Sequence, residues 1–232
     1  MKPTRLILTC EHAGNEIPPH LREQLVIPPR VLASHRGYDR GSLEIAQRLA
    51  RECLAELLAS RTSRLVIDLN RSERSPELFS SYAERLSQKL RDELLERYYR
   101  PFRAATRESI AEAIDDGDRV LHLSVHTFTP IRNGSKRTAD VGLLYDPRRT
   151  SERTFAQKWR KAIERLDPSL RVRMNYPYLG TADGHTTDLR TVFPDRNYAG
   201  IELEVNQAFF RRSERRRIAL LEVLAEGLAS VV

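Results

Sequence analysis

The sequence predicts a three-layer α/β fold built around a mostly parallel mixed sheet. Strand-like and helix-like segments alternate along the 232 residues, which is typical of a sheet covered by helices on both faces. The apolar fraction of 40% and the charged fraction of 31% are those of an ordinary globular protein. Four of the five main predicted strands end in residues that bind metals or anions, and ligands of such sheets lie beyond the strand ends. We therefore expect a single domain over residues 1–232 with a ligand site at that edge.

The first half of the chain predicts two strands and two helical regions from its apolar periodicity. A buried strand covers 5–10, a helix follows over 41–60, and a second strand covers 64–69. A long helical region spans 80–114, with Pro101 marking a break or kink because proline lacks a backbone N–H.

The second half continues the alternation. Its predicted elements are strand 119–126, strand 139–146, helix 151–166, a short edge strand 171–175, a loop 176–188, strand 198–207 and a final helix 213–230.

Composition and charge narrow the classes of function. The net charge is +7, and 34 of the 39 basic residues are arginines, most of which alternate with glutamates. The one dense cluster, 209–219, opens a predicted helix, and a solvated helix face explains it better than a nucleic-acid surface does. No helix-turn-helix pattern or strand with stacking aromatic residues accompanies the arginines. We therefore expect no nucleic-acid partner.

The N-terminal segment predicts neither export nor a membrane partner. Its apolar run of five residues is too short for a signal peptide. No apolar stretch in the chain reaches the length of a membrane span. We expect a cytoplasmic protein, and the sequence leaves its oligomeric state open.

Two histidines stand at the ends of predicted strands, His12 and His126. Neutral imidazole is a common zinc ligand, and a catalytic zinc typically takes three protein ligands and keeps one position for water. A lone histidine at a strand end is more often structural or exposed. Two of them, together with the polar residues that end a third strand, favour a metal site.

The segment SRLVIDLNRS, residues 63–72, places Asn70 and Arg71 just past a predicted strand end. Arginine grips a carboxylate through two parallel hydrogen bonds, and asparagine adds a neutral donor and acceptor. A turn asparagine beside a surface arginine is the alternative. Asp68 lies within the apolar run, so we expect it to be buried against a partner, namely Arg64, Arg71 or a backbone N–H.

The late strand carries two carboxylates on one face, Glu202 and Glu204, since successive strand residues point to opposite faces. Buried carboxylates are costly unless they are paired or take part in catalysis. A metal hydrolase needs a general base that takes a proton from water and returns it to the leaving amine. Either glutamate could act as this base, and an edge strand with a solvated polar face is the alternative.

Tyrosines and glycines are concentrated in the predicted loop 176–188. A loop of this composition can close over a substrate. A tyrosine or a histidine there, such as Tyr178 or His185, could stabilise an oxyanion. We place Tyr178 among the substrate-binding candidates, and an ordinary surface loop is the alternative.

Seven segments, in order along the chain, resemble the N-formylglutamate amidohydrolase family. They are CEHAGNEIP (10–18), HRGYDRGS (35–42), SRLVIDLNRS (63–72), VHTFTP (125–130), DVGLLYDP (140–147), NYPYLGTADGHT (175–186) and IELEVNQ (201–207). The family is similar in turn to zinc carboxypeptidases and to the aspartoacylase and succinylglutamate-desuccinylase enzymes. The resemblance implies their zinc-carboxypeptidase-like (phosphorylase/hydrolase-like) fold for a single catalytic domain.

The resemblance also implies a zinc-dependent amidohydrolase with one Zn²⁺ per chain. In such an enzyme zinc-bound water attacks the amide of a small N-acyl amino acid such as N-formylglutamate. His12 and His126 would bind the metal, and Asn70 and Arg71 would hold a carboxylate of the substrate.

The same resemblance ranks the two glutamates of the late strand. The late strand of the family carries a glutamate, two further residues and a glutamine. Glu204 with Gln207 fits this pattern, so Glu204 would be the catalytic base and Glu202 a substrate-binding residue or a residue behind the site.

The acidic metal ligand is the point at which the sequence departs from the related enzymes. There it is a glutamate three residues after the first histidine, and a helix follows at once. Here Asn15 has that position, and the prolines that follow Glu16 oppose a helix. If residues 16–35 are an insertion, Asp39 at the start of the delayed helix takes the place of the glutamate. Glu16, or neither residue, is the alternative, since Asp39 would also serve as a helix cap.

Two other functions stay open. A carboxypeptidase-like metallopeptidase would use the same site on short peptides or cell-wall fragments. A non-enzymatic, basic nucleic-acid-binding protein would depend on the positive charge alone. Manganese or iron could replace zinc in a site of two histidines and a carboxylate.

Overall fold

The computed structural model describes residues 3–211 and 213–232, and a six-stranded sheet forms its centre. The strands of the chain are β1 (Thr4–Cys10), β2 (Glu56–Ala59), β3 (Arg119–Phe128), β4 (Ile131–Arg132), β5 (Ser135–Lys136), β6 (Val141–Leu144), β7 (Val172–Met174) and β8 (Tyr198–Asn206). The central sheet has the order β2-β1-β3-β8-β6-β7, and β4 and β5 form a separate hairpin. All neighbouring strands of the central sheet are parallel except β6 and β8.

Helices lie between the strands along the chain. They are α1 (Pro29–Leu32), α2 (Ser42–Glu52), α3 (Gln88–Leu94), α4 (Arg100–Asp115), α5 (Thr150–Leu166), α6 (His185–Val192) and α7 (Glu214–Ala229). Within residues 3–211 and 213–232, no helix combines the length and the hydropathy needed to cross a bilayer.

Helices cover both faces of the sheet, so the predicted fold class, a three-layer α/β fold with a mostly parallel mixed sheet, is confirmed. On one face, apolar side chains of the central strands form a core with α2, α5 and α7; those from β3 are Leu121, Leu123 and Val125. On the other face, residues of α4 and α6 form a smaller apolar cluster with Ile7 and Val120. Because strand residues alternate between faces, His122, Ser124 and His126 lie on this second face.

The prediction of a strand over 64–69 is wrong, since these residues form turns and irregular backbone. Val66, Ile67 and Leu69 are buried in a separate cluster with residues of α3 and of the segment that precedes it. An apolar run of this length is compatible with a buried strand or with a buried irregular segment, and periodicity alone does not separate the two.

The sequence did not predict β2, an edge strand of the central sheet that occupies the last part of the predicted helix 41–60, or the short hairpin of β4 and β5. Helix α2 ends at Glu52. Leu54 adopts a φ of 51°, a left-handed conformation that cannot continue a helix. The chain then turns into β2, which pairs in parallel with β1 at the edge of the sheet.

Helical structure is continuous from Gln88 to Asp115, so a break at Pro101 does not occur. A π-helical segment, Leu95–Tyr99, joins α3 to α4 directly before Arg100 and Pro101. Because proline supplies no N–H to the helix, the change in hydrogen-bond spacing falls in the turn that precedes it. The predicted loop 176–188 is shorter than expected, because α6 begins at His185. The predicted edge strand 171–175 is β7.

Candidate active site

Three potential metal ligands converge at the carboxyl edge of the sheet. His12 follows β1, Asp39 precedes α2 and His126 lies in β3, and one ligand atom from each lies within 4.8 Å of the others. Asp39 Oδ2 is 3.3 Å from His12 Nδ1 and 3.0 Å from His126 Nδ1. All three side chains are buried. Two imidazole nitrogens and one carboxylate oxygen form a donor set that suits zinc.

Backbone contacts fix Asp39 beside His12 although 26 residues separate them in the sequence. The Asp39 N–H donates to the carbonyl of His12 at 3.1 Å. The Ser42 hydroxyl, in the first turn of α2, donates to the Asp39 carbonyl at 2.7 Å. The start of α2 therefore carries the carboxylate to the end of β1.

Glu16 does not reach this cluster. Its side chain is 57% exposed and pairs with Arg61 at 2.5 Å. The side chain of Asp39 is 7% exposed. Of the two carboxylates that the sequence left open, the structure brings Asp39 to the histidines.

The ring of His12 is held from behind by a second carboxylate. Its Nε2 lies 2.7 Å from Asp68 Oδ1, and Arg64 Nε and Nη2 donate to Asp68 Oδ2 at 3.1 and 2.7 Å. The expectation that Asp68 is buried against Arg64 is met. This contact turns Nδ1 of His12 toward Asp39, as in metal sites whose histidines donate their other N–H to a carboxylate.

The charges of the cluster suit a cation. Burial lowers the pKa of His126, but the hydrogen bond to Asp39 and the charges of Glu11 and Asp39 outweigh burial and raise this pKa to about 10. Burial raises the pKa of Asp39, but the charge and hydrogen bond of His12 outweigh it and bring this pKa below its usual range. The cluster thus stabilises a proton between Asp39 and His126, in the place that a metal cation would take. The residues present therefore fit a divalent metal.

Glu204 faces the same cavity. It is the cross-strand partner of His126 between β3 and β8, and it is 6% exposed. Its Oε2 is buried and has no hydrogen-bond partner among residues 3–211 and 213–232. Burial raises the pKa of Glu204 to about 8. The negative charge of Asp39 adds to this rise, and the positive charge of His126 opposes it. A buried carboxylate with one unpartnered oxygen can take up and release a proton near neutral pH.

Glu202 lies on the same face of β8 but is already engaged. Its Oε1 accepts a hydrogen bond from Thr186 Oγ1 at 2.6 Å. A Cβ at Gly184 would lie 3.2 Å from both Glu202 Oε1 and Asn70 Oδ1. A side chain at Gly184 would therefore require these two groups to shift by a few tenths of an ångström. The chain at Gly184 lies against both of these predicted substrate-binding residues, which share one wall.

Asn70 and Arg71 line the cavity although the strand predicted before them is absent. Asn70 Oδ1 accepts the His185 N–H at 2.7 Å. Arg71 Nε donates to Glu77 at 2.9 Å, and its Nη1 donates to the Asp183 carbonyl at 3.1 Å. These contacts hold both side chains in place at the wall.

Tyr178 lies at the mouth of the cavity and is 39% exposed. Its hydroxyl oxygen accepts hydrogen bonds from Arg132 Nη1 at 3.1 Å and from Arg137 Nη2 at 3.2 Å. Because both arginines use this oxygen as an acceptor, the hydroxyl proton is available to another group. His185, the other candidate in this segment, is buried against Glu11 and is not placed to stabilise an oxyanion in the cavity.

One cavity of about 750 Å³ unites these groups. Its lining includes eight of the residues that the sequence proposed for metal binding, substrate binding or catalysis, and lacks the alternatives Glu16 and His185. The eight are His12, Asp39, Asn70, Arg71, His126, Tyr178, Glu202 and Glu204.

Sequence reasoning missed the residues that stand behind the metal cluster. Glu11 is buried with Oε2 3.5 Å from His126 Nε2. Ser124 lies between them, and its place two residues before His126 on one face of β3 was the available signal. The pairing of Asp68 with His12 left no signal, because it depends on the path of the chain through residues 64–69.

Two solved structures are similar to this one over nearly the whole chain. A gene product of Agrobacterium tumefaciens is 29% identical with a TM-score of 0.81, and the match covers 99% of this chain and 92% of that one. An N-formylglutamate amidohydrolase of Ralstonia eutropha is 20% identical with a TM-score of 0.76, and the match covers 100% of this chain and 94% of that one. At the lower identity the likeness shows the fold alone. No curated protein matches the chain.

The model of the N-formylglutamate amidohydrolase family matches residues 4–211. This range includes all strands of the central sheet and every residue named above as lining the cavity. The chain therefore belongs to the N-formylglutamate amidohydrolase family.

Proposed function

We propose that this protein is a metal-dependent amidohydrolase that cleaves the amide of a small N-acyl amino acid such as N-formylglutamate. The observation that carries the proposal is the single cavity that joins a His–Asp–His cluster to Glu204, whose buried Oε2 is unpartnered among the described residues. Membership of the family supports an amide as the bond that is cleaved. We extend the proposal to residues 1–232 as one catalytic domain.

The metal would be held by His12, Asp39 and His126. We propose zinc, since two imidazoles and one carboxylate with an open fourth position are typical of zinc hydrolases. When bound, zinc acts as a Lewis acid that polarises a carbonyl and lowers the pKa of water. Asp68 holds the ring of His12 so that its Nδ1 faces the metal position.

Glu204 would be the general base and then the general acid. Its Oε2 would accept a proton from the attacking water and return it to the nitrogen that leaves the amide. Burial excludes bulk water from this carboxylate and raises its pKa to about 8. Glu202 is hydrogen-bonded to Thr186, which supports a substrate-binding role for it.

The substrate would be oriented by the cavity wall that carries Asn70 and Arg71. Arg71 would bind a carboxylate of the amino acid through its guanidinium, and Asn70 would add an N–H donor beside it. Tyr178 has a hydroxyl proton that neither neighbouring arginine uses, so it would donate to the acyl oxygen or to the carboxylate.

A second candidate function is hydrolysis of short peptides by the same site. It is favoured by the cavity volume of about 750 Å³, since pockets of about 300–1,000 Å³ hold ligands far larger than a formylated amino acid. Neither the family match nor the site supports the nucleic-acid-binding alternative.

The test is hydrolysis by zinc-loaded protein of N-formyl-L-glutamate, other N-acyl amino acids and a panel of short peptides. We expect about one zinc per chain, activity on N-formyl-L-glutamate, and loss of activity when a chelator removes the metal. Glu204→Gln should keep zinc and lose about a hundredfold or more in kcat, whereas Glu202→Gln should keep most of kcat. The reverse pattern would make Glu202 the base, and activity confined to peptides would establish the second candidate.

A further inference from the structure

The ring of His126 is held from behind through a serine. His126 Nε2 lies 2.9 Å from Ser124 Oγ, and Ser124 Oγ donates to Glu11 Oε2 at 2.8 Å. The other oxygen of Glu11, Oε1, lies 2.8 Å from His185 Nδ1. These four side chains form one continuous chain of hydrogen bonds, which we name the Glu11 relay.

The Glu11 relay is sealed from solvent. Its members have exposed fractions of 2% for His126, 0% for Ser124, 1% for Glu11 and 0% for His185. A buried carboxylate is stable only where donors replace its water, and both oxygens of Glu11 have such donors. The relay lies on the face of the sheet away from α2, and apart from His126 none of its members lines the cavity.

The directions of the hydrogen bonds follow from the donors available. Glu11 Oε1 is a carboxylate oxygen that can only accept, so His185 Nδ1, 2.8 Å away, carries the hydrogen of that bond. Burial lowers the pKa of His185, which favours the neutral imidazole. The Ser124 hydroxyl gives its only proton to Glu11, so it can only accept from His126. His126 Nε2 therefore carries a hydrogen, and its Nδ1, 3.0 Å from Asp39 Oδ2, is the atom left for a metal.

The same assignment removes a competing contact. Asn70 Nδ2 lies 3.3 Å from His126 Nε2, but its Oδ1 accepts the His185 N–H, so Nδ2 is the donor end of the amide. Two donors do not form a hydrogen bond with each other. Asn70 thus packs against the ring, and Ser124 is the group that orients it.

The two histidines of the cluster are consequently oriented by different devices. His12 meets the carboxylate of Asp68 directly at 2.7 Å, and Arg64 balances the charge of that carboxylate at the cavity wall. His126 reaches the carboxylate of Glu11 through Ser124, and the donor that balances Glu11 is the neutral His185. Of the groups that orient the two histidines, only those of the first device, Asp68 and Arg64, line the cavity.

We infer that Ser124, Glu11 and His185 are positioning residues that fix the His126 ring with its Nδ1 toward the metal. The inference rests on the metal site of the proposed function and adds residues that do not touch substrate or metal. Groups that orient metal-binding histidines typically contribute about 10–100-fold to metal affinity, and the Glu11 relay should contribute on this scale.

The experiment uses the full chain and measures zinc affinity by competition with a chromophoric chelator. Ser124→Ala and Glu11→Gln should each weaken zinc binding by about 10–100-fold. The double variant should lose no more than the weaker-binding single variant, because both substitutions cut the same relay. Thr106→Ala is the matched control, since it removes another buried hydroxyl, which donates to the Phe102 carbonyl, and it should leave the affinity unchanged.

A second readout separates positioning from structural support. Thermal unfolding is followed with and without zinc for each variant. Positioning predicts that the relay variants lose part of the rise in Tm that zinc produces in the parent protein. His185→Gln extends the series in case Ser124→Ala does not fold.

Three results would overturn the inference. Relay variants that bind zinc as tightly as the parent would leave the metal site intact and remove the relay from it. Additive losses in the double variant would show independent structural effects. A parent protein that does not bind zinc would remove the metal site itself, and with it the metal-dependent part of the proposed function.

Discussion

Asp39 and Glu16 are both carboxylates within reach of His12 along the chain, but their surroundings differ in what a metal ligand needs. Asp39 Oδ2 lies between the Nδ1 atoms of His12 and His126. Glu16 is paired with Arg61 at the surface. Bringing Glu16 to the histidines would cost that ion pair and the side-chain entropy of a long, exposed carboxylate. A preordered aspartate has neither cost.

The difference gives a prediction at the residue scale. Asp39→Asn should lower zinc affinity by more than about a hundredfold, because it removes a charged ligand and not merely a group behind one. Glu16→Gln is the control and should bind zinc as the parent does. Competition with a chelator measures the zinc affinity of both variants. If Glu16→Gln weakens zinc binding more than Asp39→Asn does, Glu16 is the acidic ligand.

A second residue-scale prediction concerns Arg71. Its guanidinium is anchored by Glu77 and by the Asp183 carbonyl, so it is ordered before a substrate arrives. Arg71→Ala should raise KM roughly 10–100-fold, the loss expected for a hydrogen bond to a charged group. The value of kcat should change little if the grip is equal in the ground and transition states.

Arg74 provides the control for this prediction, since it is exposed and close to Arg71 in sequence. Arg74→Ala should leave both kinetic constants unchanged in an assay on N-formyl-L-glutamate. Equal effects of the two substitutions would mean that general positive charge, and not a placed guanidinium, binds the substrate.

At the scale of elements, the alternation of strand and helix patterns and the apolar runs predicted the central strands correctly. The same patterns failed for residues 64–69, which lie outside the sheet. Strands β1, β3 and β8 lie where the sequence predicted them because each is buried on both faces and bounded by polar or turn residues. Residues 64–69 have the same composition, but their side chains fill a separate apolar cluster outside the sheet. Burial was predicted correctly there, and strand pairing was not, since pairing depends on which partner edge the chain reaches.

One close approach between elements yields a third prediction. A Cβ on Gly142 in β6 would collide with the Tyr176 carbonyl and lie 3.3 Å from Glu204 Cβ. Gly142→Ala should therefore push the segment that carries Tyr178 away from β6. We expect a loss of about 1–3 kcal/mol in the free energy of unfolding, the usual cost of overpacking, together with reduced activity.

Gly227→Ala is the matched substitution in α7. Its Cβ would meet Ile163 Cγ1 at 3.4 Å, an ordinary van der Waals contact. Alanine also favours the helix by about 0.5–1 kcal/mol relative to glycine. Urea denaturation should rank Gly227→Ala at or above the parent in stability, and a Gly142→Ala protein equal to the parent in stability and activity would contradict the steric account.

At the scale of the whole molecule, the site is assembled from distant parts of the chain by the parallel sheet. His12 and His126 meet because parallel strands end at one edge, and the sequence alone could predict this. Glu204 follows from the same rule, since β8 is parallel to β3. The Glu11 relay and the Asp68 contact could not be predicted, because each requires the order of strands and the path of an irregular segment. Rules about strand ends locate a site, whereas tertiary packing decides which buried carboxylate supports which ligand.

The interior of the sheet also couples the fold to pH through His122. This side chain is fully buried, with Nε2 2.8 Å from Thr9 Oγ1 and Nδ1 2.8 Å from the Tyr198 hydroxyl. Burial, helped by the charge of His185, lowers its pKa to about 3, whereas an unperturbed histidine titrates near 6.5. Between these values the unfolded chain binds a proton at this position and the folded chain does not. The contribution of neutral His122 to the free energy of unfolding is therefore fully present above pH 6.5 and is lost as the pH falls toward 3.

His122→Gln removes this linkage, and it should make the folded metal-free protein less sensitive to acid although less stable at pH 7. Each proton that the unfolded chain binds in excess contributes a slope of about 1.4 kcal/mol per pH unit to the free energy of unfolding. Urea denaturation between pH 4 and pH 7 should thus give a slope for His122→Gln that is smaller than the parent slope by up to that amount. Thr106→Ala, which removes a buried hydroxyl and no titratable group, is the control and should keep the parent slope. Identical slopes for the parent and His122→Gln would show that His122 takes up its proton in the folded state, and the acid sensitivity would then belong to another buried group.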